Sequence, residues 1–161
     1  MQVPGGGKKK IMNRFLSLFL FIVLVVGGGL AIGYLSSPGD WYVQLVKPAF
    51  TPPGWLFGPV WTALYILIGL AGWRVWLRDR GSRPMKLWWT QLTLNFLWSP
   101  IFFSAHQIGL ALAAILLLLA IILAFIAASW RQDRVVAWLF APYAAWVAFA
   151  SVLNASIFAL N

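Results

Sequence analysis

Side chains able to do polar chemistry are few in this chain of 161 residues. It has one histidine, His106, and no cysteine, and its only carboxylates are Asp40, Asp79 and Asp133, all predicted in or beside loops. A metal site, a carboxylate dyad or a Ser–His–Asp triad needs several such groups to converge. We therefore predict no metal site, no conventional hydrolytic activity and no proton-coupled pump, which would need ionisable groups inside its spans.

Aromatic and amide side chains are the groups that could instead bind a ligand. The apolar segment 87–100 carries four of them at helical spacing on one face, namely Trp88, Gln91, Asn95 and Trp98. Amides at such a depth are costly unless they are paired. Gln91 and Asn95 therefore either join helices by hydrogen bonds or line a ligand cavity, and the sequence leaves both interpretations open.

Two further apolar segments carry similar stripes. Trp61 and Tyr65 lie four residues apart in one. The other carries five residues near a spacing of three to four, namely Pro142, Tyr143, Trp146, Ala150 and Asn154. Aromatic packing between helices would explain either stripe alone. Three stripes together favour a flat, apolar ligand held by stacking.

The segment before Trp61 is rich in proline and tryptophan. Its prolines remove backbone donors and fix φ, so most of residues 40–55 are predicted to be neither regular helix nor central strand. Trp41, Tyr42 and Trp55 combine apolar rings with polar tips, which suits a membrane surface. We predict an ordered loop that lies over the stripes as a lid.

The composition identifies the elements that must position these residues. With 62% hydrophobic and 9% charged residues, the chain is predicted to be an all-α, multi-pass membrane protein. Five transmembrane helices are expected, the Pro/Trp-rich loop joining the first two, at about 11–35, 55–77, 86–104, 108–129 and 135–158. Residues 1–10 are predicted to be a flexible basic tail, and 11–161 a single domain.

The basic residues are distributed unequally between the two sides of such a bundle. One side carries Lys47 alone, and the other carries eleven cations: Lys8, Lys9, Lys10, Arg14, Arg74, Arg78, Arg80, Arg83, Lys86, Arg131 and Arg134. This bias predicts a cytoplasmic N-terminus, with the loop and the C-terminus outside. It also explains the net charge of +9 without a nucleic-acid partner, for which no recognised module is present.

Several linked motifs over residues 36–158 resemble the TspO/MBR family of translocator and tryptophan-rich sensory proteins. They are Asp40-Trp41-Tyr42, Lys47-Pro48, Pro52-Pro53-x-Trp55, Gly58-Pro59-Val60-Trp61-Thr62-x-Leu64-Tyr65, Gln91-Leu92-x-Leu94-Asn95-x-x-Trp98-x-Pro100-x-Phe102-Phe103, Pro142-Tyr143-x-x-Trp146 and Leu153-Asn154. The resemblance implies a five-helix bundle, often dimeric, that binds porphyrins and in some members sterols or drug-like ligands. A porphyrin would be a ligand, and no cofactor is expected.

The resemblance also implies roles for individual residues. Trp61 and Trp146 match the paired cavity tryptophans implicated in light-dependent breakdown of protoporphyrin. The other matches to pocket or lid positions are Trp55, Tyr65, Gln91, Asn95, Trp98, Tyr143 and Ala150. The sterol-recognition segment of mammalian members is not matched, because Asn154 is followed by Ala155 and no arginine comes after it. Sterol binding through that segment is therefore not expected.

Three functions follow as hypotheses. The first is a receptor or transporter-like regulator that binds tetrapyrroles in a bacterial inner membrane. The second is a photo-oxidase that degrades protoporphyrin with light and oxygen. The third is a structural or interaction protein whose cavity is filled by lipid. Separately, small-residue ridges such as Gly29 and Gly33 permit close helix contacts, so a homodimer is a secondary expectation.

Overall fold

Helices account for all the regular structure in the part of the chain that the computed structural model describes, which is the backbone of residues 6–161 and the side chains of residues 11–161. The all-α prediction is confirmed. The α-helices are α1 (Gly6–Ile22), α2 (Gly28–Leu35), α3 (Asp40–Gln44), α4 (Gly54–Arg78), α5 (Arg83–Ser99), α6 (Ile108–Trp130) and α7 (Arg134–Leu160). Two π-helical segments, Val23–Gly27 and Pro100–Ser104, continue α1 and α5.

Four stretches of the described chain are long and apolar enough to cross a membrane. They are Ile11–Leu35, which joins α1 to α2 through the first π-helical segment, and the helices α4, α6 and α7. At about 1.5 Å per residue, each is longer than the roughly 30 Å of hydrocarbon in a bilayer. The helix α5 has 17 residues and is not one of the four.

The packing of the helices brings α4, α5, α6 and α7 around a shared aromatic core. The helix α7 packs on α6 and α4, α5 packs on α6 and α2, and α1 packs on α4. Trp88, Phe125, Phe140 and Tyr143 are fully buried at the centre. Large apolar side chains such as Trp138 are exposed on the outside, as expected where lipid is the solvent.

Glycines allow two of the close helix contacts. A Cβ at Gly29 would overlap the ring of Tyr65, and one at Gly72 would overlap the indole of Trp88. Trp88 is fixed in this position because its Nε1 donates to the carbonyl oxygen of Ile68 across 2.9 Å. Small residues on α2 and α4 therefore let large aromatic rings fit between helix backbones.

The predicted loop is shorter in the structure. Residues 40–44 form α3, because no proline lies between Pro38 and Pro48 and because Asp40 in the first turn interacts favourably with the helix dipole. The non-helical part is limited to residues 45–53, where the hydroxyl of Thr51 donates to the carbonyl oxygen of Pro48 across 2.7 Å. The helix α1 already begins at Gly6, and residues 1–5 of the predicted tail lie outside the described residues.

Candidate functional site

A cavity of about 640 Å³ lies between α2, α4, α5 and α7 beneath the loop, within the range of about 300–1,000 Å³ typical of small-molecule sites. The predicted residues that line it are Trp61, Tyr65, Asn95, Trp98, Trp146 and Ala150. Three predicted residues, Trp55, Gln91 and Tyr143, do not line it. The cavity therefore brings together residues from all three predicted stripes.

One face of α4 forms a wall of the cavity. Gly54, Phe57, Trp61 and Tyr65 recur along this face at helical spacing. Trp55 lies one residue beyond Gly54, about 100° around the helix, and it is 73% exposed. Trp55 therefore lies outside the cavity lining, at the start of α4 beside the loop.

A hydrogen-bonded chain of three side chains joins α4, α5 and α7 at the wall of the cavity. The hydroxyl of Tyr65 donates to Oδ1 of Asn95 across 3.1 Å. Nδ2 of Asn95 in turn donates to the hydroxyl of Tyr143 across 2.9 Å. Tyr143 is fully buried behind this wall, which explains why it positions other residues without lining the cavity. For Asn95, both interpretations hold: it joins helices and also lines the cavity.

Gln91 lies in the core and away from the cavity lining. Its side chain is fully buried, and both amide atoms lack a hydrogen-bond partner among the described residues. The predicted stripe on α5 is thus divided along its length: Trp88 and Gln91 are packed in the core, whereas Asn95 and Trp98 reach the cavity. Helical spacing identified a shared face but not the point at which the cavity ends.

Trp98 is oriented by two side chains that belong to the quoted sequence motifs but were not among the predicted site residues. Its Nε1 donates to Oδ1 of Asn154 across 3.1 Å, and Nδ2 of Asn154 donates to the carbonyl oxygen of Ile108 across 3.2 Å. The indole also stacks on Phe102, with ring centroids 5.3 Å apart. Asn154 and Phe102 both line the cavity. Their signal in the sequence was their four-residue spacing from Ala150 and Trp98.

The rings of Trp61 and Trp146 meet other aromatic rings at the cavity. Trp61 lies 5.2 Å from Tyr65 and 6.3 Å from Tyr143 by ring centroids. Trp146 lies edge-on to Phe57 at 5.8 Å. Ala150, one turn beyond Trp146 on α7, leaves space beside the indole. Both tryptophans therefore present rings to one cavity from α4 and α7.

The loop covers the cavity with side chains from α3 and the proline-rich segment. Tyr42 and Lys47 line the cavity there, and the Lys47 ammonium lies 4.6 Å from the centre of the Tyr42 ring. Burial raises the pKa of the Tyr42 phenol above its ordinary value of 10.0, so this phenol is neutral at physiological pH. Trp41 stacks on His106 at 4.2 Å, which joins α3 to the turn before α6.

The side chain of Asn161 fastens the loop to the end of α7. Its Oδ1 accepts from the backbone N–H of Val46 across 3.0 Å, and its Nδ2 donates to the carbonyl oxygen of Val46 across 3.0 Å. The same Nδ2 also donates to the carbonyl oxygen of Ile157. The loop is therefore held at its middle by a paired amide contact.

The electrostatics of the cavity are simple. Among the described residues that line it, Lys47 is the only one with a charge. Its Nζ donates to the carbonyl oxygens of Val43 and Leu45, both at 3.2 Å, which holds the cation at the cavity mouth. No group of three or more metal-binding side chains occurs among the described residues. The site can therefore hold an apolar molecule with its anionic end at the mouth.

The fold and this cavity define a helical membrane protein with an aromatic-lined cavity beneath an ordered loop. The model of the TspO/MBR family matches residues 21–160. The chain belongs to the TspO/MBR family, and it is an integral membrane protein. The resemblance drawn from the motifs is confirmed.

Individual relatives come from bacteria, archaea and mammals. Over 152 residues the chain is 36% identical to Protein CrtK of Rhodobacter capsulatus, which covers 91% of this chain and 95% of the relative. It is 37% identical over 152 residues to Tryptophan-rich protein TspO of Archaeoglobus fulgidus, covering 92% and 99%. It is 40% identical over 119 residues to the human Translocator protein, covering 71% and 70%.

Proposed function

We propose that the cavity binds a flat, largely apolar tetrapyrrole such as protoporphyrin IX, and that the protein is a receptor or transporter-like regulator of such molecules. The observation that carries this proposal is the convergence of Trp61, Trp98 and Trp146 on one cavity of about 640 Å³. Aromatic side chains offer large, flat surfaces for stacking, with specific interactions of about 0.5–1.5 kcal/mol each. The tetrapyrrole is a ligand in this proposal and not a resident cofactor.

The charge at the cavity mouth supports the same class of ligand. Protoporphyrin carries two carboxylates on one edge of an otherwise apolar disc. Lys47 supplies the cation among the described lining residues, and it lies at the mouth beneath which the aromatic walls begin. An ammonium at that position can pair with a carboxylate that remains near water. A neutral sterol or lipid chain would gain nothing from this cation.

A titration of protoporphyrin IX into the detergent-solubilised protein tests this function. We expect saturable binding with one ligand per chain, measured by the shift of the porphyrin absorption band. Lys47→Gln should weaken binding, and Lys86→Gln, a matched change at the other end of the bundle, should not. If the porphyrin instead dissolved in the detergent micelles without saturation, equally with wild type, Lys47→Gln and Lys86→Gln, the proposal would be contradicted. A cavity filled by lipid would then be favoured.

A second candidate function is light-dependent degradation of the bound porphyrin with oxygen as the oxidant. The specific observation in its favour is that Trp61 and Trp146 both line the cavity, with Trp61 in ring contact with Tyr65 at 5.2 Å. Indoles are readily oxidised, so rings against an excited porphyrin could donate an electron to it. Neighbouring tyrosine could then share the resulting radical.

We further propose that the bundle crosses the membrane five times. The 17 residues of α5 and the π-helical segment Pro100–Ser104 together reach 22 residues, enough for a crossing of about 30 Å. Pro100 lacks an N–H donor, which gives a local reason for the change from α to π geometry. We also propose that the chain self-associates into a homodimer through exposed small residues, such as Gly33 on α2 and Ala120 on α6.

We propose that the charge bias places the N-terminus in the cytoplasm and the loop outside, and that the membrane is a bacterial inner membrane. The chain has no cysteine, so single cysteines report its orientation without background. Ser82→Cys should react with an impermeant reagent only from the cytoplasmic side, and Gln44→Cys only from outside. The reverse labelling would overturn the orientation, and equal labelling from both sides would indicate dual insertion.

A further inference from the structure

A second concavity lies at the opposite end of the bundle from the loop, between α1 and α4 and next to the turn before α7. Its volume is about 590 Å³. Three arginines line it, Arg14, Arg74 and Arg78. The indole of Trp73 closes one side and is fixed there, because its Nε1 donates to the Ser17 hydroxyl across 3.1 Å. We call this concavity the basic groove.

The charges of the basic groove are only partly balanced within the protein. Nε and Nη2 of Arg74 both donate to Oδ2 of Asp133, at 3.1 and 2.8 Å. The other carboxylate oxygen of Asp133 accepts from the backbone N–H of Val135 across 3.0 Å. Arg74 and Asp133 thus satisfy each other. Arg14 and Arg78 have no carboxylate partner among the described residues.

The sequence cannot supply the missing counter-charge at this end of the bundle. Eleven of the twelve cations lie on this side, together with only two carboxylates, Asp79 and Asp133. Asp133 is occupied by Arg74, and Asp79 accepts from the backbone N–H of Gly81 across 2.9 Å. Arg14 and Arg78 are both exposed, so their guanidinium groups are accessible to an anion from outside the protein.

The remaining surface of the basic groove is apolar, and Ile11, Phe15 and Leu77 are exposed while Leu18 is half-buried. Ile11, Phe15 and Leu18 on α1 and Leu77 on α4 line it. Phe15 is 69% exposed and lies one residue from Arg14 on a helix long enough to span the membrane. A phosphate bound by arginines beside such side chains would have its hydrocarbon chains alongside them. This combination suits an amphiphile better than a free anion.

We propose that the basic groove binds the headgroup phosphate of an anionic phospholipid through Arg14 and Arg78, with an acyl chain against Phe15, Leu18 and Leu77. Arginine binds phosphate by paired, charge-assisted hydrogen bonds. Basic recesses between transmembrane helices at the membrane surface are suited to such headgroups. The site is separate from the aromatic cavity and does not depend on the ligand bound there.

The test uses the full chain in neutral detergent with dioleoylphosphatidylglycerol as the probe, and native mass spectrometry to count bound lipid. Two double variants remove equal charge from the same end of the bundle. Arg14→Gln/Arg78→Gln alters the basic groove. Arg80→Gln/Arg134→Gln is the control, because these side chains lie over Trp76 and Trp130 at 4.5 and 5.9 Å, outside the groove.

We expect the groove variant to bind phosphatidylglycerol about thirtyfold more weakly than wild type, since each cation near an anionic headgroup contributes about fivefold. The control should stay within about twofold of wild type. Arg14→Lys/Arg78→Lys should recover part of the binding, which shows that a loss in the glutamine variant is due to charge and not to misfolding. Dioleoylphosphatidylcholine should bind weakly to all of the proteins.

Three results would overturn the proposal. An equal loss in the groove and control variants would mean that the whole charged face attracts lipid without a site. Equal binding of phosphatidylcholine would remove the role of net lipid charge. Displacement of the lipid by millimolar inorganic phosphate, with the same arginine dependence, would assign the groove to a free anion.

Discussion

Asn95 on α5 donates from Nδ2 to the Tyr143 hydroxyl on α7 across 2.9 Å, while its Oδ1 accepts from Tyr65 on α4. One amide therefore joins the three helices that carry Trp61, Trp98 and Trp146. No water is available inside a membrane to replace these hydrogen bonds. These hydrogen bonds within the protein therefore hold the walls of the aromatic cavity in fixed positions without any contact to a ligand.

Removing the Tyr143 hydroxyl from the hydrogen bonds that link Tyr65, Asn95 and Tyr143 should destabilise the helical bundle. Tyr143→Phe leaves Nδ2 of Asn95 without its acceptor, and we expect the free energy of unfolding to fall by about 1 kcal/mol. The measurement is reversible unfolding of the protein in mixed micelles. Tyr34→Phe is the matched control, because Tyr34 is 84% exposed. Equal stability of the two variants would show that the Asn95 contact contributes nothing.

The paired amide contact between Asn161 and Val46 should control how long a ligand stays in the cavity. Asn161→Ala removes both bonds to the loop, and we expect porphyrin to dissociate several-fold faster while the association rate changes little. Stopped-flow fluorescence measures both rates. Gln132→Ala, in the turn at the opposite end, serves as the control. An unchanged dissociation rate would mean that the loop does not act as a lid.

Acid should weaken the contact between α4 and the turn before α7. Burial alone would raise the pKa of Asp133, but the hydrogen bond and charge of Arg74 and the N–H groups of Val135 and Val136 outweigh it and hold the pKa below its ordinary value of 3.8. A lowered folded-state pKa means that the stabilisation is complete above pH 3.8 and is lost as the pH falls through the folded value.

Asp133→Asn tests this pH dependence, because asparagine can still cap α7 but cannot carry the charge. We expect the variant to be less stable than wild type near neutral pH and the difference to shrink as the pH falls below 3.8. Unfolding temperatures measured across that range provide the test. Asp79→Asn is the control at an exposed carboxylate. A constant difference at every pH would show that the ion pair with Arg74 does not stabilise the fold.

Replacing Trp61 and Trp146 should affect light-dependent bleaching of the porphyrin much more than porphyrin binding. Trp61→Phe/Trp146→Phe keeps aromatic surface, so porphyrin affinity should fall only a few-fold. Phenylalanine is much harder to oxidise than indole, so light-dependent bleaching of bound porphyrin should be largely lost. Trp138→Phe, at a ring that is 66% exposed on the outside of the bundle, is the control. Bleaching at the wild-type rate with porphyrin still bound would favour a simple receptor.

The length of the apolar segments and the helical spacing of residues within them were sufficient to predict the helices and several residues that line the cavity. Apolar segments of about 20 residues have few structural solutions in a membrane, so the helices and their approximate limits could be predicted. Trp61, Tyr65, Trp146 and Ala150 could be assigned to inward faces because helical spacing determines which residues lie together.

The remaining features depend on contacts between segments that are distant in the sequence. Gln91 and Asn95 lie one turn apart on α5, but only Asn95 lies where Tyr65 and Tyr143 contact the helix, so only Asn95 is hydrogen-bonded. The α3 helix could form because residues 40–44 lie in the proline-free stretch between Pro38 and Pro48, and a prediction made for residues 40–55 as a whole does not resolve this stretch. The contact between Asn161 and Val46 spans most of the chain, and neither residue type indicates it alone.

A matched pair of tryptophan substitutions tests most directly whether a porphyrin occupies the aromatic cavity, as we propose. Ala150 lines the cavity, so Ala150→Trp should fill the space beside Trp146. Ala155 lies on the same helix but is exposed, so Ala155→Trp adds the same ring outside. We expect the Kd for protoporphyrin IX, measured by absorption titration, to rise at least about tenfold in Ala150→Trp and to be unchanged in Ala155→Trp. Wild-type affinity in Ala150→Trp, with the protein folded, would place the ligand elsewhere and contradict the account.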